Sequence, residues 1–412
     1  RAHQPAAEWR QLRRLVAIGS EKWTNEDRQK ILDWLTELDP ATNAAEGKLA
    51  AARAGGPPPP TMDVRVMKQR AQPRATRVLH RGEFLDPGDP VTPGTPGVLP
   101  PIKARNGGEP DRLDLARWLI APENPLTARV IVNHFLRHLF GVGLVRSAGD
   151  FGVRGDKPTH AELLDWLARE FVESGWSRKH VLRLILNSAT YRQRSEFPSG
   201  TDEIDPLNTL LSRQNRIRVE GEIVRDLHLA AGGLLKAKIG GPSVFPPMPP
   251  EVAALSYANN FRWKTSAGED RYRRGMYTFF KRTAPHPDLM TFDCPDANLA
   301  CLDRTQSNTP LQALTTLNGD AFTEAARSLG ARVAREKFAE DGARVTRLFR
   351  LALVRPPTAE EVATLSELLS EARSYYAANE ADAKALAADV ETAAWTTVAR
   401  VVLNADEFIN RE

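Results

Sequence analysis

The chain has 412 residues, 42% hydrophobic and 26% charged, a globular composition with enough apolar residues for a real core and too many for general disorder. Lys and Arg number 56 against 52 Asp and Glu, a formal net charge of +4, and no dense basic run concentrates that excess, which argues against a nucleic-acid partner. No apolar stretch reaches the roughly 18–20 residues that a membrane-spanning helix needs, and two cysteines exclude a disulfide-dense scaffold or an all-cysteine zinc site.

The sequence opens at Arg1 without a Met or a signal peptide and is expected to be part of a longer protein. Thr24 and Asp27 form a capping-box pattern, and Ile31, Leu32, Leu35 and Leu38 recur at helical spacing until Pro40. Residues 41–54 are alanine-rich. Gly55-Gly56-Pro57-Pro58-Pro59-Pro60 follows, and its prolines favour extended polyproline II and supply no backbone donors. A boundary falls there. Residues 55–110 therefore read as a Pro-rich linker with one short strand at residues 76–82, and with six further prolines between Asp86 and Ile102.

From Asp111 onward the pattern is helical. One helix begins near Leu113 and ends before Pro122, and a second covers residues 126–140 and stops at Gly141 and Gly143. Thr159 and Glu162 are spaced as a capping box ahead of Leu163, Leu164, Leu167 and Phe171, and Ser177 is placed to cap the helix that carries Val181, Leu182, Leu184 and Ile185. The connections are short, so neighbouring helices are expected to be antiparallel. A further helix is predicted over residues 217–231, closed by Gly232-Gly233. An irregular, Arg-rich insertion occupies about residues 240–308, within which residues 273–280 have the content of a strand. From Thr309 the pattern is helical again, with Thr358 and Glu361 as another capping box. The expected fold is mostly α: a bundle-like main domain over residues 111–412, with Pro-rich irregular segments and a few short strands.

His134 and His138 lie four residues apart, a spacing that puts two imidazoles on one helix face and makes them metal candidates. A zinc-protease helix would carry Glu after the first His, where Phe135 stands, and the polar edge formed by Arg129, Asn133 and Arg137 offers the pair a structural role instead. The six-residue gap between Cys294 and Cys301 is compatible with a disulfide in an oxidising compartment. No Cys-x-x-Cys-His occurs, so no haem is covalently attached within these residues. Thr309-Pro310-Leu311-Gln312 reads as an N-cap, a first-turn proline and a capping-box glutamine.

Polar residues gather in the insertion. Arginine grips carboxylates, sulfates and phosphates through paired N–H donors, which nominates Arg273, Arg274, Arg282 and Arg304, with Arg225 and Asp226 from the preceding helix, as a binding set. Asp293, Asp296 and His286 are the catalytic candidates, because glycoside hydrolysis needs two carboxylates about 5–10 Å apart. The same residues suit structural Arg–Asp pairs that pin the insertion to the helices, and this is the reading favoured.

Several motifs occur in a recognisable order. They are Asn133; Phe140-Gly141-Val142-Gly143-Leu144-Val145; Asp150-Phe151-Gly152; His160-Ala161-Glu162-Leu163-Leu164-Asp165-Trp166-Leu167-Ala168; Ser188-Ala189-Thr190-Tyr191-Arg192; Arg225-Asp226; Tyr272-Arg273-Arg274; Phe292-Asp293; and Asn308-Thr309-Pro310-Leu311-Gln312-Ala313-Leu314. Together they resemble the planctomycete-specific domain of unknown function found at the C-terminal end of secreted planctomycete cytochrome c-domain proteins. The resemblance covers about residues 61–410, and it assigns residues 1–54 to the helical tail of a preceding domain. The chain departs from the family pattern at His134 and Leu136, where Arg and Trp are usual. The resemblance implies export to the periplasm or cell surface and haem c in an upstream domain, with no cofactor in these residues, but it implies no reaction. The expected function is an accessory or interaction module with a cell-envelope protein as partner; the alternative is an enzyme or binding module for an anionic, sulfated polysaccharide.

Overall fold

The computed structural model describes residues 13–55, 64–68, 70, 72, 74–197, 200–254 and 261–411. Helices dominate and the strands form two small two-stranded sheets, so the fold is mostly α. The chain divides into two compact units, Arg1–Thr76 and Arg77–Glu412.

In the first unit, α1 (Asn25–Leu38) opens on the expected capping box: the Thr24 N–H donates to Asp27 Oδ2 at 3.0 Å, and the Asp27 N–H to Thr24 Oγ1 at 3.2 Å. α1 ends before Pro40 as expected, but a new helix starts there at once. Pro40 is the first residue of α2 (Pro40–Gly55), where a missing N–H costs nothing because first-turn donors have no helical partner. The prolines at 57–60 lie outside the described residues. The predicted strand is β1 (Thr76–Leu79), which pairs with β2 (Pro87–Val91).

The second unit holds two large apolar cores and, among its described residues, a small third cluster of Ala383, Ala387 and Ala393. α3 (Arg112–Leu119) precedes the first, which is built from α4 (Thr127–Phe140), α5 (Ala161–Glu173) and α6 (Arg178–Asn187), with Val132, Leu136, Phe140, Leu164, Phe171 and Val181 buried at their contacts. Asn133 is buried at its edge and clamps the chain that leaves α4. Its Nδ2 donates to Val145 O at 2.9 Å, and its Oδ1 accepts the Val145 N–H at 2.9 Å. A Cβ on Gly143 would lie 2.5 Å from that amide, which explains the glycine. Ser177 caps α6 as expected, accepting the His180 N–H at 3.3 Å. Thr159 does not cap α5: its own N–H is drawn to Leu144 O at 2.9 Å, and the helix starts after His160.

The second core lies among α7 (Gly221–Ala231), α8 (Pro287–Thr291), α9 (Pro310–Asn318), α10 (Asp320–Arg335), α11 (Asp341–Ala352), α12 (Ala359–Ala378), α13 (Glu380–Leu386) and α14 (Val390–Leu403). α14 is its axis, with Ala393, Ala394, Trp395, Val398 and Ala399 fully buried. The helix predicted from residue 217 starts later, because Ile217–Arg218 forms β3. This strand pairs antiparallel with β4 (Asn410–Arg411), setting Ile217 opposite Arg411. Residues 273–280 are not a strand but short turns with isolated bridges at Arg273 and Thr278. Their backbone groups are claimed by α7: Arg225 takes the carbonyls of Arg271 and Arg273, and Asp226 takes the Gly275 N–H.

His228, 1% exposed, stands edge-on between Phe322 and Phe408, and its Nδ1 lies 2.8 Å from Val224 O. Burial pushes its pKa from 6.5 down to about 4, so the ring is neutral in the folded protein. The unfolded chain therefore takes up a proton that the native state refuses, and stability is lost as pH falls from about 6.5 to about 4. The expected loss across that window is about 3 kcal/mol. Denaturation between pH 7 and pH 4 checks this, and His228→Gln should flatten the slope.

Candidate functional site

The end of α4, the β3–α7 junction, the tail of the insertion and β4 enclose a cleft of about 490 Å³. Local sequence explains why these segments meet. Gly141 closes α4 at φ +81°, and a Cβ there would press on Ile217 Cγ1 at 3.1 Å, so the glycine both ends the helix and admits β3. The last carbonyls of α4 have no helical partner, and Arg411 supplies one: its Nη2 donates to His138 O at 2.9 Å and to Leu139 O at 3.0 Å. Arg137 ties the insertion to the same helix through Leu302 O and the Asp303 carboxylate.

The lining is rich in cations. Arg137 and the two imidazoles of His134 and His138 come from α4, Arg218 from β3, Arg304 from the insertion and Arg411 from β4; Glu220 is the carboxylate among the lining residues. Arg304 donates to Glu222 Oε2 at 2.8 Å and lies 3.4 Å from Glu220. Arg218 reaches Asp406 at 3.2 Å and Gln312 Oε1 at 3.0 Å, while its Nε is buried without a hydrogen-bond partner. His134 is half-buried; desolvation first, then the charges of His138 and Arg137, hold its pKa below the usual 6.5. No third ligand joins the two histidines into a metal cluster among the described residues.

Most of the residues nominated from the insertion serve its architecture instead. Arg273, 1% exposed, donates to Pro242 O at 3.0 Å, to Lys238 O at 3.3 Å and to Gly240 O, and stacks 3.9 Å above the Tyr277 ring. Arg274 pairs with Asp226 at 3.4 Å, and Arg282 lies exposed outside the cleft. The Asp293 carboxylate accepts the N–H and hydroxyl of Ser307 at 2.8 and 2.7 Å, while Asp296 accepts the Asn298 N–H at 3.0 Å and closes a turn. His286 is buried with Nε2 2.9 Å from Pro247 O. Only Arg304 of that set reaches the cleft.

The disulfide compatible with the cysteine spacing is not present. Cys294 is buried with Sγ 3.7 Å from Glu222 Oε1, and Cys301 is exposed with Sγ 3.1 Å from Asp303 O, so each free thiol points to its own acceptor. Burial, reinforced by Glu222, pushes the Cys294 pKa up to about 11 and leaves it an inert core thiol. Gln312 is not a capping-box partner but a buried linchpin, donating to Thr291 O at 2.9 Å and Ser307 Oγ at 3.1 Å.

Sequence reasoning singled out His134, His138 and Arg304 but missed Arg218 and Arg411 as lining residues. Arg137 was legible, since it follows His134 by three residues on the same helix face. Arg411 carried no local signal, because it enters through a strand pair that joins distant parts of the chain.

Fold and cleft together define a helical module with a cationic recess at the junction of its packed elements. The chain belongs to the PSD1 family, described as a protein of unknown function (DUF1553), whose profile matches residues 111–369, more than half of the chain and every lining residue except Arg411. No curated protein and no solved structure matches it. No helix among the described residues is long and apolar enough to cross a membrane.

Proposed function

We propose that the chain is an interaction module that holds an anionic glycan, of the sulfated class, in the cleft at the end of α4. The observation that carries this reading is the convergence of Arg137, Arg218, Arg304 and Arg411 with two imidazoles on one open recess, opposed within the lining by Glu220. Guanidinium forks are suited to the paired oxygens of sulfates and carboxylates. Glu220 and Gln306 are placed to meet sugar hydroxyls, and Ile217, Val219 and Leu302 supply the apolar surface that a ring face packs against. The volume suits one or two sugar units. Binding without turnover is the simpler reading, since Asp293 and Asp296 are engaged in local hydrogen bonds. The resemblance supports placing the module in an exported, multidomain protein whose haem c sits in a separate upstream domain.

Calorimetric titration of the chain with a sulfated glucan oligosaccharide, and with the uncharged glucan of the same length, tests the reading. The sulfated ligand should bind and the neutral one should not. Arg137→Ala should weaken binding about tenfold, the loss of one charge-assisted contact of about 1.4 kcal/mol. Equal binding of the two glucans, or binding of neither, rejects the proposal.

A further inference from the structure

The cleft has one wall whose charge is free to change. His134 and His138 stand one turn apart on α4, with Cβ atoms about 5–6 Å apart. Both line the cleft, and neither imidazole has a hydrogen-bond partner among the described residues. The cations around them each spend part of their donors on the protein and keep a fixed charge: Arg137 on Leu302 and Asp303, Arg218 on Asp406 and Gln312, Arg304 on Glu222, and Arg411 on the carbonyls of α4. The other titratable groups facing the pair are Glu220 from the β3–α7 junction and Cys301 from the insertion. Arginines stay charged throughout, and carboxylates and thiols ordinarily titrate outside the range near pH 6, so the imidazoles are the groups that switch there.

We infer that His134 and His138 form a proton-switched wall of the cleft that contacts the bound anion directly, so that the cleft closes its grip as the pH falls. The inference rests on the anion reading above. Each imidazole that gains a proton presents a cationic N–H to the ligand, and two of them one turn apart can bracket a single sulfate. In the free protein the burial of His134 and its cationic neighbours oppose that proton. A bound anion reverses the balance: its negative charge favours the imidazolium, and the complex takes up protons that the free cleft refuses. The sign follows. Affinity is weakest above pH 7 and grows as the pH falls towards 5.

The test is titration of the chain with a sulfated glucan oligosaccharide at pH 8, 7, 6 and 5 and constant ionic strength, in buffers of differing ionisation enthalpy. Sulfate esters keep their charge over this range, so a slope reports the protein. The affinity should rise about tenfold or more from pH 8 to pH 5, with protons taken up on binding. The slope and the proton uptake should vanish in His134→Gln/His138→Gln and shrink in His138→Gln alone, an exposed position that keeps the test open where the double variant fails to fold. Binding that is independent of pH, or a slope that survives in the variants, overturns the switch and leaves the anion reading standing. An absence of binding at every pH overturns both.

Discussion

Replacing Gly330 by alanine should cost about 3 kcal/mol of stability, although in an isolated helix the same change would gain about 1 kcal/mol. The reversal comes from the crossing of α10 and α14. A Cβ at position 330 would lie 2.6 Å from the Thr396 nitrogen, 2.8 Å from its Cα and 2.9 Å from the Trp395 carbonyl carbon. All three are backbone atoms, so no side chain can swing away and the helices themselves must part. Their parting would loosen a layer in which Leu329, Val333, Trp395 and Ala399 are fully buried. Gly342, in the first turn of α11, is the internal control: its nearest neighbour would be a Val362 methyl at 3.6 Å, an ordinary contact. Gly342→Ala should be neutral or slightly stabilising by chemical denaturation, while Gly330→Ala unfolds at clearly lower denaturant. A Gly330→Ala protein as stable as the parent would mean that the two helices are not packed this closely.

Some local features of this fold were legible in the sequence, and distant pairings were not. Thr358 and Glu361 form their capping box, and Thr24 and Asp27 theirs, because a cap depends on four consecutive residues. The β3–β4 pair sets Ile217 against Arg411, and no local pattern announces a partner so far along the chain. The aromatic and β-branched content of residues 273–280 pointed to a strand, yet side chains of α7 outbid any ladder for the same backbone groups. The arginine-rich composition of the insertion drew attention for a sound chemical reason, but carbonyl oxygens satisfy guanidinium donors as well as ligands do. Arg273 is buried among three of them. In the cleft, the α4 residues His134, Arg137 and His138 were visible as one helix face, while Arg218, Arg304 and Arg411 arrive from strands and loops that only the folded chain brings together.

Arg225→Met is the second change expected to have a large effect, again about 3 kcal/mol. Arg225 is 4% exposed on α7 and donates from Nη1 to Arg273 O and from Nη2 to Arg271 O, both at 2.7 Å. The next residue, Asp226, accepts the Gly275 N–H at 2.6 Å. Two successive residues of one helix thus hold the backbone of the insertion where it crosses α7. The crossing is tight: a Cβ on Gly275 would meet Glu222 O at 2.5 Å. Methionine preserves the stem and most of the volume but removes every donor and the positive charge. The buried Arg273 carbonyl and the half-buried Arg271 carbonyl lose their partner, and Asp288, whose carboxyl burial already pushes towards the neutral form, loses one of its compensating charges. Arg225→Lys should fall between the two, since an ammonium keeps the charge but cannot span both carbonyls as a fork does. Protease cleavage provides the local readout: sites in residues 236–254 and 261–275 should be cut far faster in Arg225→Met, before any loss of the α10–α14 core. Unchanged cleavage together with unchanged denaturation would show that the guanidinium is not what fastens the insertion to the helix.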